Sequence, residues 1–294
     1  MAKVHANGID IEVEASGDTR DPTILLIMGL SAQLVHWPDG LVEQLTGRGF
    51  HVIRFDNRDV GLSTWFDDHP RPNSALLWLK SALGIRPKSA YTLSDMAGDA
   101  AGVLDSFGID SAHVVGVSMG GMIAQRLAIE HPERVRSLCS IMSCTRPPSA
   151  SVGLTMKLLK LNSSSEARED RINNTMETFR LLSGSGFDFD EEYWGQLAIT
   201  AVDRGWHPEG TDRQYAAIAA DGNRREALAG LNVATTVVHG TEDRLVPPGY
   251  GQRTADAIPE AAMVWIEGMG HDWPEGAWPQ ILDAITNLVE RSDT

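Results

Sequence analysis

His113-Val-Val-Gly-Val-Ser118-Met-Gly-Gly-Met-Ile-Ala-Gln-Arg-Leu-Ala-Ile-Glu130 is the stretch from which the rest of the chain can be read. The run from His113 to Val117 is short, apolar and rich in valine, which predicts a strand covered on both faces. The residues from Met119 to Glu130 follow without a linker and predict a helix that Pro132 stops. Ser118 therefore sits on an abrupt strand-to-helix turn, with Gly116 and Gly120 on either side in a G-x-S-x-G pattern. Such a turn strains the serine backbone and leaves no room for side chains at the two glycines. In return it lifts the hydroxyl above the sheet, at the positive end of the following helix. A serine built this way is a candidate nucleophile.

Working outward, the pattern of strand followed by helix recurs. Val4 to Ala6 and Ile9 to Val13 flank Asn7-Gly8, a pair suited to a two-residue hairpin turn. Thr23 to Met28, Val52 to Phe55, Leu138 to Met142, Thr235 to His239 and Met263 to Ile266 are further apolar runs expected as strands. Between them, helices are expected around Leu41 to Leu45, from the capping pattern Thr92-Leu-Ser-Asp95 to near Gly108, and from Trp278 to Val289. The sum is an α/β fold: a mostly parallel, eight-stranded sheet with helices on both faces. Two segments break the rhythm and are too long for plain loops. Residues 145–230 carry several helical patterns and a polar patch from Asn162 to Asp170, and are expected as a helical cap. Residues 65–91 are expected as a smaller lid-like insertion. The core is then 1–144 with 231–294.

The 294 residues are 42% hydrophobic and 22% charged, as in an average folded chain, which excludes a disordered tail, a collagen and a coiled coil. Twenty-five basic residues against 40 acidic ones give a net charge of −15. That field repels phosphate backbones and argues against a nucleic-acid partner. No apolar run is long enough to span a membrane, and the N-terminus lacks the apolar centre of a signal peptide. The two cysteines, Cys139 and Cys144, read as buried free thiols of a reducing compartment, so a cytoplasmic location is expected. No metal site is expected, since a zinc centre needs more ligands at suitable spacing.

A serine hydroxyl needs a base to take its proton. Of nine histidines, His271 follows the strand ending at Ile266 and lies in a glycine-flanked loop, at the same sheet edge as Ser118. His5 and His51 begin strands, His131 ends a helix, His239 reads as a buried strand-end residue, and His207 belongs to the cap. The acid that orients the base belongs on another loop of that edge. Asp243, in Thr241-Glu-Asp-Arg-Leu-Val-Pro247, is the candidate, with Glu242 its nearest competitor. The exit of the Leu138 to Met142 strand, Ser143-Cys-Thr-Arg146, offers no carboxylate. Asp272 reads as a supporting or surface group. The oxyanion hole requires backbone N–H groups, expected from Met119 after the nucleophile and from Leu30 after Gly29. Trp65, Trp78, Trp194, Trp206 and Trp273 are possible pocket residues or ordinary packing; Trp273, two residues past His271, is the preferred pocket candidate. Arg58 and Asp59 are expected to form a bracing ion pair rather than a substrate site.

Met28-Gly29 with Trp37-Pro-Asp39, His51 to Ser63, the serine turn, His239-Gly-Thr-Glu-Asp243 and Gly268-Met-Gly-His271 together resemble the α/β-hydrolases. Within them the chain is similar to bacterial carboxylesterases of the aclacinomycin methylesterase kind. The resemblance implies Ser118 as nucleophile, Asp243 as acid and His271 as base, in the chain order serine, acid, histidine. It departs from the pattern at Met28, where many relatives carry histidine, and in the cap, so no particular ester is implied. The expected activity is hydrolysis of small-to-medium carboxylic esters through an acyl-enzyme, without a cofactor and with a small molecule as partner. Carbon–carbon bond hydrolysis, lactone opening and perhydrolysis could use the same three residues. A binding protein without catalysis is the alternative of another class.

Overall fold

The computed structural model describes residues 1–148, 151–161 and 167–292. Part of the Asn162 to Asp170 patch and the side chain of Trp78 lie outside the described residues. Ala2–Ala6 (β1) and Ile9–Ser16 (β2) form a hairpin through Asn7 and Gly8, whose φ angles are 50° and 79°. Positive φ at both positions is what a two-residue turn between twisted strands demands. There follow Thr23–Ile27 (β3), Asp39–Gly47 (α1), His51–Phe55 (β4), Ser74–Ala82 (α2), Leu93–Ser106 (α3), Ala112–Val117 (β5), Met119–Glu130 (α4) and Val135–Ile141 (β6). Between this strand and the next come Val152–Leu161 (α5), Arg168–Leu182 (α6), Glu191–Gly205 (α7), Pro208–Asp221 (α8) and the short Arg225–Leu228 (α9). Ala234–Gly240 (β7), Pro248–Ala255 (α10), Ala262–Ile266 (β8) and Trp278–Ser292 (α11) close the chain.

The eight strands make one sheet in the order β1-β2-β4-β3-β5-β6-β7-β8. Only the pairs β1/β2 and β2/β4 are antiparallel, so β2 alone runs against the others. Side chains alternate along β3: Leu25 and Ile27 join the core under α3 and α4, while Ile24 and Leu26 join the core under α1 and α11. A strand covered on both faces must be apolar at every position, and that is why Thr23 to Met28 reads as an unbroken run. The α3 start is the expected capping box. Thr92 Oγ1 accepts from Asp95 N at 3.1 Å, and Asp95 Oδ2 accepts from Thr92 N at 2.8 Å.

Several boundaries differ from their sequence readings, those of β2, β6 and α11 the most. The strand expected from Leu138 begins at Val135 and ends at Ile141, because Met142 turns away with φ 41°. Met142 opens the loop that leads into the inserted helices. The order of the sheet also fixes where chemistry can sit. The chain leaves β3 toward β4 on one side and returns to build β5 on the other, so a crevice opens at the carboxyl ends of β3 and β5. Ser118 follows β5 directly and Leu30 lies just beyond β3.

Candidate active site

Val117 ends β5 and Met119 begins α4, which leaves Ser118 as a one-residue turn with φ 53° and ψ −118°. The strain is imposed by close packing. A Cβ on Gly116 would stand 2.2 Å from the Gly120 carbonyl oxygen, and one on Gly120 would stand 2.0 Å from the Ile27 carbonyl oxygen. The main chain of the turn is held by Ser118 N donating to Ile141 O at 2.9 Å and by Ser143 Oγ donating to Ser118 O at 2.7 Å. The hydroxyl is left free to face outward.

That hydroxyl donates to His271 Nε2 at 3.0 Å, and His271 Nδ1–H donates to Asp243 Oδ2 at 2.7 Å. The three side chains come from the ends of β5, β8 and β7, and they meet because parallel strands present all their carboxyl ends along one edge. Asp243 is 2% exposed. Its other oxygen accepts from Leu245 N at 2.9 Å and Val246 N at 2.8 Å. Burial pushes this carboxyl upward, but His271 and His239 beside it outweigh that and hold it at about 2, so it is a carboxylate. Glu242 points elsewhere and accepts from Ser185 N at 2.8 Å and Ser185 Oγ at 2.7 Å.

His239 has a part in the site that its sequence position did not suggest. It is fully buried at the end of β7, donates through Nε2 to Val246 O at 2.8 Å, and stands 3.4 Å from Asp243 Oδ2. The same loop that donates two N–H groups to Asp243 is thus tied back to the strand. The signal available in the sequence was the four-residue spacing to Asp243. Asp272 lies in the cavity wall beside His271 and accepts from Gly270 N at 3.0 Å. Burial raises its carboxyl above the ordinary range.

Met119 is the first residue of α4, so its N–H has no partner within the helix. The loop after β3 lies against Ser118: a Cβ on Gly29 would stand 3.2 Å from Ser118 Cβ. Leu30 follows in that loop and lines the same cavity as Ser118. Met28 is buried, and its carbonyl accepts from Asn57 Nδ2 at 2.9 Å.

The cavity above Ser118 has a volume of about 390 Å³. Trp273 lines it and stacks on Trp37 with ring centroids 4.9 Å apart. Trp194 and Trp206 line it too, from α7 and from the turn between α7 and α8. Trp65 does not: it is 39% exposed and stacks on His207 with centroids 4.0 Å apart. His36 forms part of the wall, and burial lowers its pKa to about 4, so it is a neutral imidazole. Its Nδ1 accepts from Gln33 N at 2.9 Å. Neither Trp194 nor His36 has a local pattern that marks it as a pocket residue.

Arg58 and Asp59 do not pair with each other. Arg58 grips Asp99 of α3 through two bonds of 2.6 Å, and Asp59 receives Arg213 of α8 through bonds of 2.7 and 2.8 Å. Both pairs are buried. The segment therefore braces the sheet to α3 on one side and to the inserted helices on the other. Cys139 and Cys144 are free, buried thiols, each pushed up to about 12 by burial. Among the described residues no helix is long and apolar enough to cross a membrane.

Comparison with known proteins agrees with this architecture. The chain is 28% identical over 292 residues to rhodomycin D methylesterase of Streptomyces sp. (strain C5), covering 92% of each chain. It superposes on the enol-lactonase of Burkholderia xenovorans LB400 with a TM-score of 0.73 at 22% identity, covering 99% of both chains. A thermophilic esterase from Thermogutta terrifontis gives 0.72 at 21% identity, covering 98% of both. The family model of the alpha/beta hydrolase fold matches residues 22–274, most of the chain. With a sheet, a serine turn and a strand order of this kind, the protein belongs to the alpha/beta hydrolase fold family.

Proposed function

We propose that the protein is a serine carboxylesterase that hydrolyses small-to-medium carboxylic esters through an acyl-enzyme. The observation that carries this reading is the unbroken relay from Ser118 Oγ through both nitrogens of His271 to Asp243. Similarity to a methylesterase over nearly the full length supports the ester bond as target. His271 takes the Ser118 proton as the oxygen attacks the ester carbonyl, and the N–H groups of Met119 and Leu30 receive the oxyanion. The imidazolium, held by Asp243, then protonates the departing alcohol. Water, deprotonated by the same nitrogen, releases the acid and restores Ser118. A lactone, being a cyclic ester, would open by the same attack.

Residues 145–230 act in this reading as a cap over the core of 1–144 and 231–294, with 65–91 as a lid. The support is that α5 to α8 supply much of the cavity wall, while α2 adds Ser74 at its rim. The test is a fluorophosphonate probe together with a p-nitrophenyl ester series, on the parent and on Ser118→Ala. A single adduct at Ser118 and loss of turnover in the variant are expected. A parent that takes no adduct is a binding protein, and a variant as active as the parent overturns the mechanism.

A further inference from the structure

We propose that Gln214, a residue of α8 in the inserted helices, is a positioning residue for the oxyanion hole. The inference rests on the reading of Leu30 as an oxyanion donor. The Gln214 side chain is fully buried and bridges two pieces of the core. Its Oε1 accepts from Ser31 N at 2.8 Å, and its Nε2 donates to Arg58 O at 2.8 Å. The amide can sit only one way round. Flipped, it would set an NH₂ group against an N–H and an oxygen against a carbonyl.

Ser31 follows Leu30 directly and has φ 64°, a left-handed backbone that a non-glycine residue adopts only when its surroundings demand it. The core holds the loop at its ends, through Asn57 on Met28 O at 2.9 Å and Asp56 on Leu34 N at 2.7 Å. Gln214 holds it in the middle, next to the peptide whose N–H faces the oxyanion. The neighbouring Arg213 fastens α8 itself to the core through Asp59. The inserted helices therefore do more than wall the cavity: α7 holds the far end of the loop through Gln33, whose Nε2 donates to Ala201 O at 2.7 Å, and Gln214 of α8 holds the residue next to the donor. Without the Gln214 amide, Ser31 loses the partner of its N–H, and the left-handed angle rests on the long Ala32 N to Gly29 O turn bond of 3.3 Å alone. The Leu30 donor would then wander while Ser118, His271 and Asp243 stay in place.

The experiment compares the parent with Gln214→Leu, which fills the space without accepting, and Gln214→Asn, whose amide is one methylene too short. Each is read by kcat and KM on a p-nitrophenyl ester, and by inhibition with a trifluoromethyl ketone, which forms a tetrahedral oxyanion on serine. The plain methyl ketone serves as the ground-state control, with melting temperature and fluorophosphonate labelling alongside. In whichever variant melts like the parent, kcat is expected to fall on the order of tenfold to a hundredfold, and the trifluoromethyl ketone to weaken in proportion. KM and the methyl ketone should stay within about threefold, because ground-state binding does not use the donor. A folded variant with kcat within about twofold of the parent overturns the assignment. So does one whose KM rises and whose methyl-ketone affinity falls by as large a factor as kcat falls, since that is a collapsed pocket. A parent that neither turns over esters nor labels at Ser118 removes the esterase reading itself, a result distinct from either.

Discussion

Replacing Asp243 by asparagine changes one oxygen to an NH₂ group, and the surroundings decide which one. Oδ1 accepts from the main-chain N–H groups of Leu245 and Val246, at 2.9 and 2.8 Å. Only the amide oxygen can sit there, so the NH₂ group must take the place of Oδ2, 2.7 Å from His271 Nδ1. Two donors would then face each other unless His271 moves its proton to Nε2. That tautomer presents an N–H to Ser118 and cannot take its proton. An aspartate-to-asparagine change with this consequence costs a triad enzyme about 10⁴ in kcat, or about 5 kcal/mol of barrier. Asp243 lies beneath the imidazole with 2% exposure, so KM should barely move. Steady-state kinetics on a p-nitrophenyl ester, beside Glu242→Gln as control, provide the assay. The control should keep parental kcat, since the Glu242 carboxylate bonds to Ser185 and the substitution leaves its main-chain bond to Met269 O intact. An Asp243→Asn enzyme within about tenfold of parental kcat would refute the reasoning.

The same carboxylate makes a prediction about acid. Its folded pKa of about 2 lies below the ordinary 3.8, so it stabilises the fold above about pH 4 and loses that contribution as pH falls through about 2. The difference amounts to roughly 2 kcal/mol, and the stability gap between parent and Asp243→Asn, followed by urea unfolding, should narrow over that window. A gap constant from pH 5 down to about 2 would contradict it. Asp59→Asn should lower stability by about 3 kcal/mol, because it leaves the buried Arg213 guanidinium only the longer contact to Asp67 at 3.3 Å as an ion pair; an unchanged urea midpoint would argue that water reaches the pair. Gly120→Ala should cost about 3 kcal/mol or more, since its Cβ would press on the backbone oxygen of Ile27. Soluble, active Gly120→Ala protein with parental melting behaviour would mean that the serine turn is looser than its geometry indicates.

Much of this was written locally in the chain. The run from His113 to Glu130 specifies a strand, a one-residue turn and a helix, because Gly116 and Gly120 are the only residues that fit where backbone meets backbone. Asn7-Gly8 specifies the hairpin, and Thr92 with Asp95 the start of α3. Once the strands are known to be parallel, loops after β5, β7 and β8 must share an edge, so Ser118, Asp243 and His271 could be named without coordinates. Trp194 and Trp206 could be offered only as pocket residues or ordinary packing, and His36 could not be singled out at all, because no local pattern distinguishes a side chain facing a cavity from one facing a core.

The sequence by itself determined the elements, the sheet and the edge where reactive groups collect, since each follows from short-range periodicity, turn chemistry and strand direction. The tertiary structure alone decided which groups serve that edge from a distance: Arg213 on Asp59, and Gln214 on the N–H of Ser31 and the carbonyl of Arg58. These contacts join residues up to 183 positions apart. Their partners are often main-chain N–H and C=O groups, which every residue carries, so nothing in the spelling of the chain can mark them until packing has brought them together.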